Sequence, residues 1–239
     1  MLSVEQSLAV SALLAPYMLE ERRARIDAVL EARTRDVTLV LEDVVSEHNG
    51  AAVLRSADAF GLMDIHFLPG PLGFRASRRV ARGSQLWVDA FHHSAPADCF
   101  EALRARGYQV WASTVHGEAI PVWELPTDRP IALAFGNEKD GMSRAALDAA
   151  DGRFHVPMQG FVESLNISVA AALSLASNLQ ARRQAGGLHA LPADEREQIR
   201  ARWYAQSVRA AGMLLERASL PMPESPGDYV DMVEDEDDA

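Results

Sequence analysis

The residues best suited to chemistry in this chain fall in three short stretches. In residues 48–61 (HNGAAVLRSADAFG), Asn49 and Arg55 stand six positions apart. Residues 136–141 (GNEKDG) add Asn137 and Glu138 directly after an apolar run, and residues 157–168 (PMQGFVESLNIS) end in a polar knot holding Ser164, Asn166 and Ser168. That knot precedes a long run of small and apolar residues, so its hydroxyls and amides lie beside the unpaired N–H groups of a helix start. Such an end favours a polar or anionic ligand. Taken alone, Ser164 as a plain helix cap explains the third stretch equally well. Arginine stays cationic in proteins, so Arg55 suits stabilising a developing oxyanion or a phosphate rather than taking up a proton. Its bland alternative is a surface ion pair with Asp58, worth little. Asn49, Glu138, Ser164 and Asn166 supply neutral donors and one acceptor for orienting a substrate, although Glu138 has Lys139 and Arg144 as alternative partners.

Other chemistries lack their patterns. The seven histidines show no i, i+4 ligand pair with a nearby carboxylate, and the single cysteine, Cys99, excludes an intrachain disulfide and makes a thiolate cluster implausible. No metal is expected. Gly-x-Ser-x-Gly is absent, which leaves Ser164 and Ser168 poor nucleophiles. No Gly-x-Gly-x-x-Gly follows a strand, so a Rossmann-type nucleotide site has no support.

The elements that must carry these residues alternate. Strands are expected at residues 38–44, 64–68, 86–90, 108–113, 131–135 and 154–156, with helices at 50–60, 97–106, 143–150 and 164–183 between and after them. Strands separated by helix-length segments imply an α/β fold with a mainly parallel sheet covered on both faces. Ligands in such sheets sit at the carboxyl ends of the strands, where Ser113, Gly136 and Val156 fall. Cys99 is expected on the packed face of its helix. A helical arm (1–36) precedes this core (37–184), a helical extension (185–220) follows it, and an acidic tail (221–239) is expected to be disordered.

Nearly half of the residues are hydrophobic, as in an ordinary globular protein. The amino terminus lacks a basic region, and Glu20, Glu21 and Arg22 interrupt the first apolar stretch before a spanning length is reached, so a cytoplasmic protein without membrane association is expected. The net charge of −11 argues against a polyanionic partner, but eight of the negative charges lie in residues 221–239, leaving −3 for the rest. Positive charge is nearly all arginine, Lys139 being the only lysine, which suits bidentate phosphate contact. Two clusters are candidate RNA contacts. Arg22, Arg23 and Arg25 lie on the arm; Arg75, Arg78, Arg79 and Arg82 follow i, i+3, i+4, i+7 spacing and make one stripe if that segment is helical. A solvated helix face is the alternative for each.

Together and in this order, the three stretches resemble the three motifs of the SPOUT-class RNA methyltransferases, in particular the SpoU/TrmH branch that methylates ribose 2′-hydroxyls. Asn49 and Arg55 match the first motif, Gly136-Asn137-Glu138 with Gly141 the second, and residues 157–168 the third; the likeness spans residues 37–183. It implies an α/β fold whose last motif threads a C-terminal trefoil knot, a homodimer with the site at its interface, and S-adenosylmethionine held largely by backbone groups around Ser113, Gly136, Val156 and Leu165. It further implies that Arg55 activates the ribose hydroxyl, whether that residue or a phosphate takes the proton. The short terminal arms look like those of the branch that modifies guanosine 18 of tRNA. Ribosomal RNA as substrate, and a catalytically silent RNA-binding dimer, are the alternatives.

Overall fold

The computed structural model describes residues 2–68, 70, 75–228 and 230–233. They group into two compact units: one combines the described residues of 1–34 with 190–226, and the other those of 35–189 with 227, 228 and 230–233.

In the terminal unit, α1 (Val4–Leu14) and α2 (Glu20–Glu31) pack with α8 (Ala193–Ser207) and α9 (Ala211–Arg217). Ser3 starts α1 through a reciprocal capping box with Gln6, which satisfies two otherwise unpaired backbone donors. Val10, Leu14, Ile26, Leu30, Trp203 and Leu215 fill the centre. Arg33 is buried too, its guanidinium 5.3 Å from the centroid of the Trp203 ring. Arg200 bridges to Asp27 at 2.8 Å.

The larger unit is a seven-stranded, wholly parallel sheet. Its strands are β1 (Val37–Glu42), β2 (Asp64–Leu68), β4 (Asp89–His92), β5 (Gln109–Ser113), β6 (Ile120–Pro121), β7 (Ile131–Phe135) and β8 (Gly152–His155), in the spatial order β4-β2-β1-β7-β5-β8-β6. The central strands read VTLVLE, DIHFL and IALAF and are buried at every position, as a sheet covered on both faces requires. On one face α3 (Glu47–Ala59) and α7 (Ile167–Ala185) place Val53, Leu54, Leu175 and Leu179 against Leu39, Leu41 and Leu133. On the other, α5 (Pro96–Ala105) and α6 (Arg144–Ala149) place Cys99, Phe100, Leu103 and Ala146 against Val40, Val110 and Ala132. The expected mainly parallel α/β fold is therefore observed.

Three local readings change. The strand expected at 86–90 lies at Asp89–His92, because residues 84–86 form a 3-10 turn and the parallel register with β2 begins at Asp64↔Asp89. The arginines at 75–82 do not lie on one helix. Arg75 belongs to strand β3 (Arg75–Ser77), Arg78 and Arg79 to the single turn α4 (Arg78–Ala81), and Arg82 ends that turn at φ 51. The acidic tail, expected to be without structure, contributes β9 (Asp231–Val233), which pairs parallel with β3 in the register Ser77↔Val233. The expectation for residues 234–239 lies outside the described residues.

Candidate active site

The carboxyl ends of β5, β7 and β8 open on a cleft of about 500 Å³. Ser113, Gly136, Val156 and Leu165, the four positions expected to hold a cofactor, all line it, as do Glu138 and Ser164. Apolar surface comes from Phe135, Met142, Phe154, Val156 and Ile167. One wall is the loop after β7, and its shape follows from the residues at its ends. A side chain at Gly136 would put a Cβ 2.2 Å from the Gly141 carbon and the Met142 nitrogen, so only glycine lets the loop close on itself. The Asn137 oxygen accepts the Lys139 and Asp140 N–H groups at 2.8 and 3.2 Å, while its amide donates to the Asp43 carbonyl at 2.8 Å. At the far end the buried Glu42 carboxylate takes the Ser143 N–H at 2.8 Å and its hydroxyl at 2.6 Å. Residues 42 and 43, at the end of β1, thus clamp both ends of the loop. Their part was not visible in the motif pattern, where neither has a chemical partner nearby in sequence.

Beside the cleft the three motifs meet through side chains. The Asn49 amide donates to Glu138 Oε1 at 2.7 Å, and the Asn166 amide donates to Asn49 Oδ1 at 3.0 Å. Asn166 Oδ1 in turn accepts the Ser168 N–H at 2.9 Å and its hydroxyl at 2.6 Å. Asn166, not Ser164, is therefore the cap of α7; the helix begins at Ile167 rather than at 164, which frees Ser164 to face the cleft. Ser46 caps α3 by accepting the Asn49 N–H, fixing the first turn that presents the Asn49 side chain. Glu138 pairs with neither Lys139 nor Arg144, the latter being bound to Asp148 at 2.8 Å. Arg55 is exposed on α3, and among the described residues no ion pair joins it to Asp58.

The RNA-contact candidates divide by element. Arg22 and Arg25 are exposed and Arg23 half-buried on α2. Arg75, Arg78, Arg79 and Arg82 are all exposed, and Arg75 is paired with Glu47 at 3.2 Å. No described helix is long and apolar enough to cross a membrane.

Residues 36–176, more than half of the chain, match the model of the SpoU rRNA Methylase family. The chain is 39% identical over 167 residues to the tRNA (guanosine(18)-2′-O)-methyltransferase of Thermus thermophilus, covering 70% of this chain and 86% of that one. With the protein of the same name in Escherichia coli K12 it shares 36% over 165 residues, 69% of this chain and 72% of the relative. The crystal structure of the Aquifex aeolicus TrmH/SpoU tRNA modifying enzyme superposes with a TM-score of 0.72 at 28% identity, covering 79% of this chain and 98% of that one. A parallel sheet with its cleft and motif network in this arrangement, and identity of this extent, have one reading: the chain belongs to the SpoU rRNA methylase family.

Proposed function

We propose that this protein transfers a methyl group from S-adenosylmethionine to a ribose 2′-hydroxyl of tRNA, at guanosine 18 of the D-loop. The observation that carries the reading is the Asn49–Glu138–Asn166 network at the rim of the cleft. The cleft suits the methyl donor. Its volume is that of a small-molecule site, its apolar lining offers packing for an adenine ring, and its backbone and hydroxyl groups at Ser113, Gly136, Val156, Ser164 and Leu165 offer polar contacts. The donor supplies an electrophilic methyl carbon.

The chain's own residues have to position and activate the oxygen. Arg55, on the same helix as Asn49 and six residues along, brings a permanent positive charge that stabilises a developing alkoxide or holds an adjacent phosphate. Asn49 and Asn166 hold Glu138 and the start of α7 in one arrangement, so that the loop walls and the arginine-bearing helix act as a unit. The last motif passes through a trefoil knot in this reading. A homodimer completes the assembly; the exposed Val169 and Leu173 on α7, with Trp123, Phe161 and Val162, offer it an apolar surface. Arg78, Arg79 and Arg82 are the proposed phosphate contacts on the catalytic unit, with Arg22 and Arg25 on the terminal unit, in a cytoplasmic enzyme. Ribosomal RNA is the second reading, favoured by the description of the matching family.

The test is transfer of labelled methyl groups into total tRNA, into rRNA, and into a tRNA carrying 2′-deoxyguanosine at position 18. Transfer to tRNA that the deoxy substitution abolishes is expected. Equal labelling of the deoxy substrate refutes the site, and labelling of rRNA alone refutes the substrate. Arg55→Ala should abolish transfer while leaving donor affinity nearly intact; near-normal turnover would remove Arg55 from the mechanism.

A further inference from the structure

A second cluster of chemically capable side chains lies far in sequence from the motif residues. His66 on β2, His93 just after β4 and Cys99 on α5 bring one nitrogen or sulfur atom each to within 4.8 Å of one another. His66 Nδ1 and His93 Nε2 stand 2.9 Å apart. Cys99 is fully buried, His66 is 2% exposed, and His93 is half-buried. From this convergence we infer that His66, His93 and Cys99 form a three-ligand site for a divalent transition-metal ion of borderline softness, zinc being the best fit.

Two imidazoles and one thiolate are the ligand types that suit such an ion, and hard cations such as magnesium and calcium prefer oxygen. Bonds of about 2.0–2.1 Å to nitrogen and 2.3 Å to sulfur place tetrahedral donors about 3.3–3.6 Å apart. The two nitrogens, 2.9 Å apart, would separate by about 0.4 Å, and the sulfur would close in by about 1.2 Å at most. The ligands come from β2, from the residue that follows β4 and from the helix packed on those strands, and the His93 N–H donates to the Phe67 carbonyl at 2.9 Å, which ties that position to the sheet. His66 stacks on Phe91 and His93, which holds its ring plane.

The surrounding charge accommodates the ion. Asp98 and Asp228 lie near enough to His93 to act on it electrostatically, as does His92, and Asp64 acts on His66, offset by Arg35 and Arg106, which bind Asp64 at 2.9 and 2.5 Å. Without a metal, an ordinary cysteine thiol is protonated at neutral pH. Binding therefore forms two metal–nitrogen bonds and one metal–sulfur bond and breaks the S–H bond. The hydrogen shared between the two rings moves to the outer nitrogen of its own ring. One proton per ion is released to solvent. His93 is the one partly exposed ligand, so the ion enters from its side. The bound ion ties β2, the end of β4 and α5 together at the edge of the sheet.

Cys99 is the only cysteine, which makes cobalt(II) a specific probe. Chelator-treated full-length protein titrated with cobalt(II) should develop a sulfur-to-cobalt charge-transfer band and the visible bands of a tetrahedral site. The titration should saturate at one ion per chain, release one proton per ion, and be reversed by one equivalent of zinc. Cys99→Ser should abolish the charge-transfer band, and His93→Gln, at the half-exposed ligand, should weaken binding on the order of 100-fold or more. His189→Gln, which removes an exposed histidine outside the cluster, should change nothing. The wild-type spectrum and proton count are informative even if Cys99→Ser fails to fold. No charge-transfer band in wild type, or a metal affinity unchanged in His93→Gln, overturns the assignment.

Discussion

Asn49 joins the first motif to the other two, so its removal should separate motif contact from fold. Asn49→Ala deletes a 2.7 Å bond to the Glu138 carboxylate and a 3.0 Å bond from the Asn166 amide. A charge-assisted bond contributes about 1.5–3 kcal/mol and a neutral one about 0.5–1.5 kcal/mol. Glu138 and Asn166 are exposed, so the low ends apply and the total is about 2 kcal/mol, or about 30-fold in kcat/KM. The bonds are already made in the free protein, so the thermal midpoint should fall as well, by about 4–8 °C at most, with the fold retained. Asn49→Asp should be worse than Asn49→Ala. It sets a second carboxylate 2.7 Å from Glu138, a repulsion of about 1.5 kcal/mol even at the dielectric constant of water, and salt should narrow the gap between the two variants. The assay is methyl transfer at saturating donor for wild type, both Asn49 variants, Glu138→Ala and the Asn49→Ala/Glu138→Ala double variant. The two single alanine effects should overlap by about 1 kcal/mol in the cycle. Asn49→Ala within threefold of wild type, or strictly additive alanine effects, would refute the view that the motifs act through this network.

Three further outcomes follow from other contacts. Glu42→Gln replaces a carboxylate that accepts two Ser143 donors with an amide that accepts through one atom only; KM for the donor should rise on the order of tenfold with a smaller change in kcat, and an unchanged KM would mean that the clamp does not shape the cleft. Gly136→Ala forces a Cβ to 2.2 Å from backbone atoms of Gly141 and Met142 and should cost about 1–3 kcal/mol of stability together with donor affinity, read by calorimetry and equilibrium binding. Arg78→Ala/Arg79→Ala should flatten the salt dependence of tRNA binding by about 0.7–0.9 per lost phosphate contact, whereas ending the chain after Val233, which keeps β9 in place, should leave affinity unchanged or raise it; parallel salt slopes would move the RNA contact to Arg22 and Arg25.

How much of this was legible in the sequence depended on how far apart the interacting residues lie. The central strands β1, β2 and β7 are readable because burial on both faces writes a continuous apolar run into local sequence. Pairing partners are not written there. β3 is a strand only because β9 lies beside it, more than 150 residues later in the chain, and that distant partner is what splits the regularly spaced arginines at 75–82 between a strand, a single helical turn and a left-handed cap. The hydrogen-bond network between the motifs shows the same limit from the other side. Asn49 lies 89 residues from Glu138 and 117 from Asn166, and no periodicity joins them; family resemblance supplied the association, and the hydrogen bonds supply its physical content. Where neither periodicity nor resemblance speaks, nothing local can. A search for histidines at helical spacing passes over His66, His93 and Cys99, because parallel pairing of β2 with β4 and the packing of α5 on those strands bring them together. A ligand set built across strands is specified by register, and register is a property of the folded sheet.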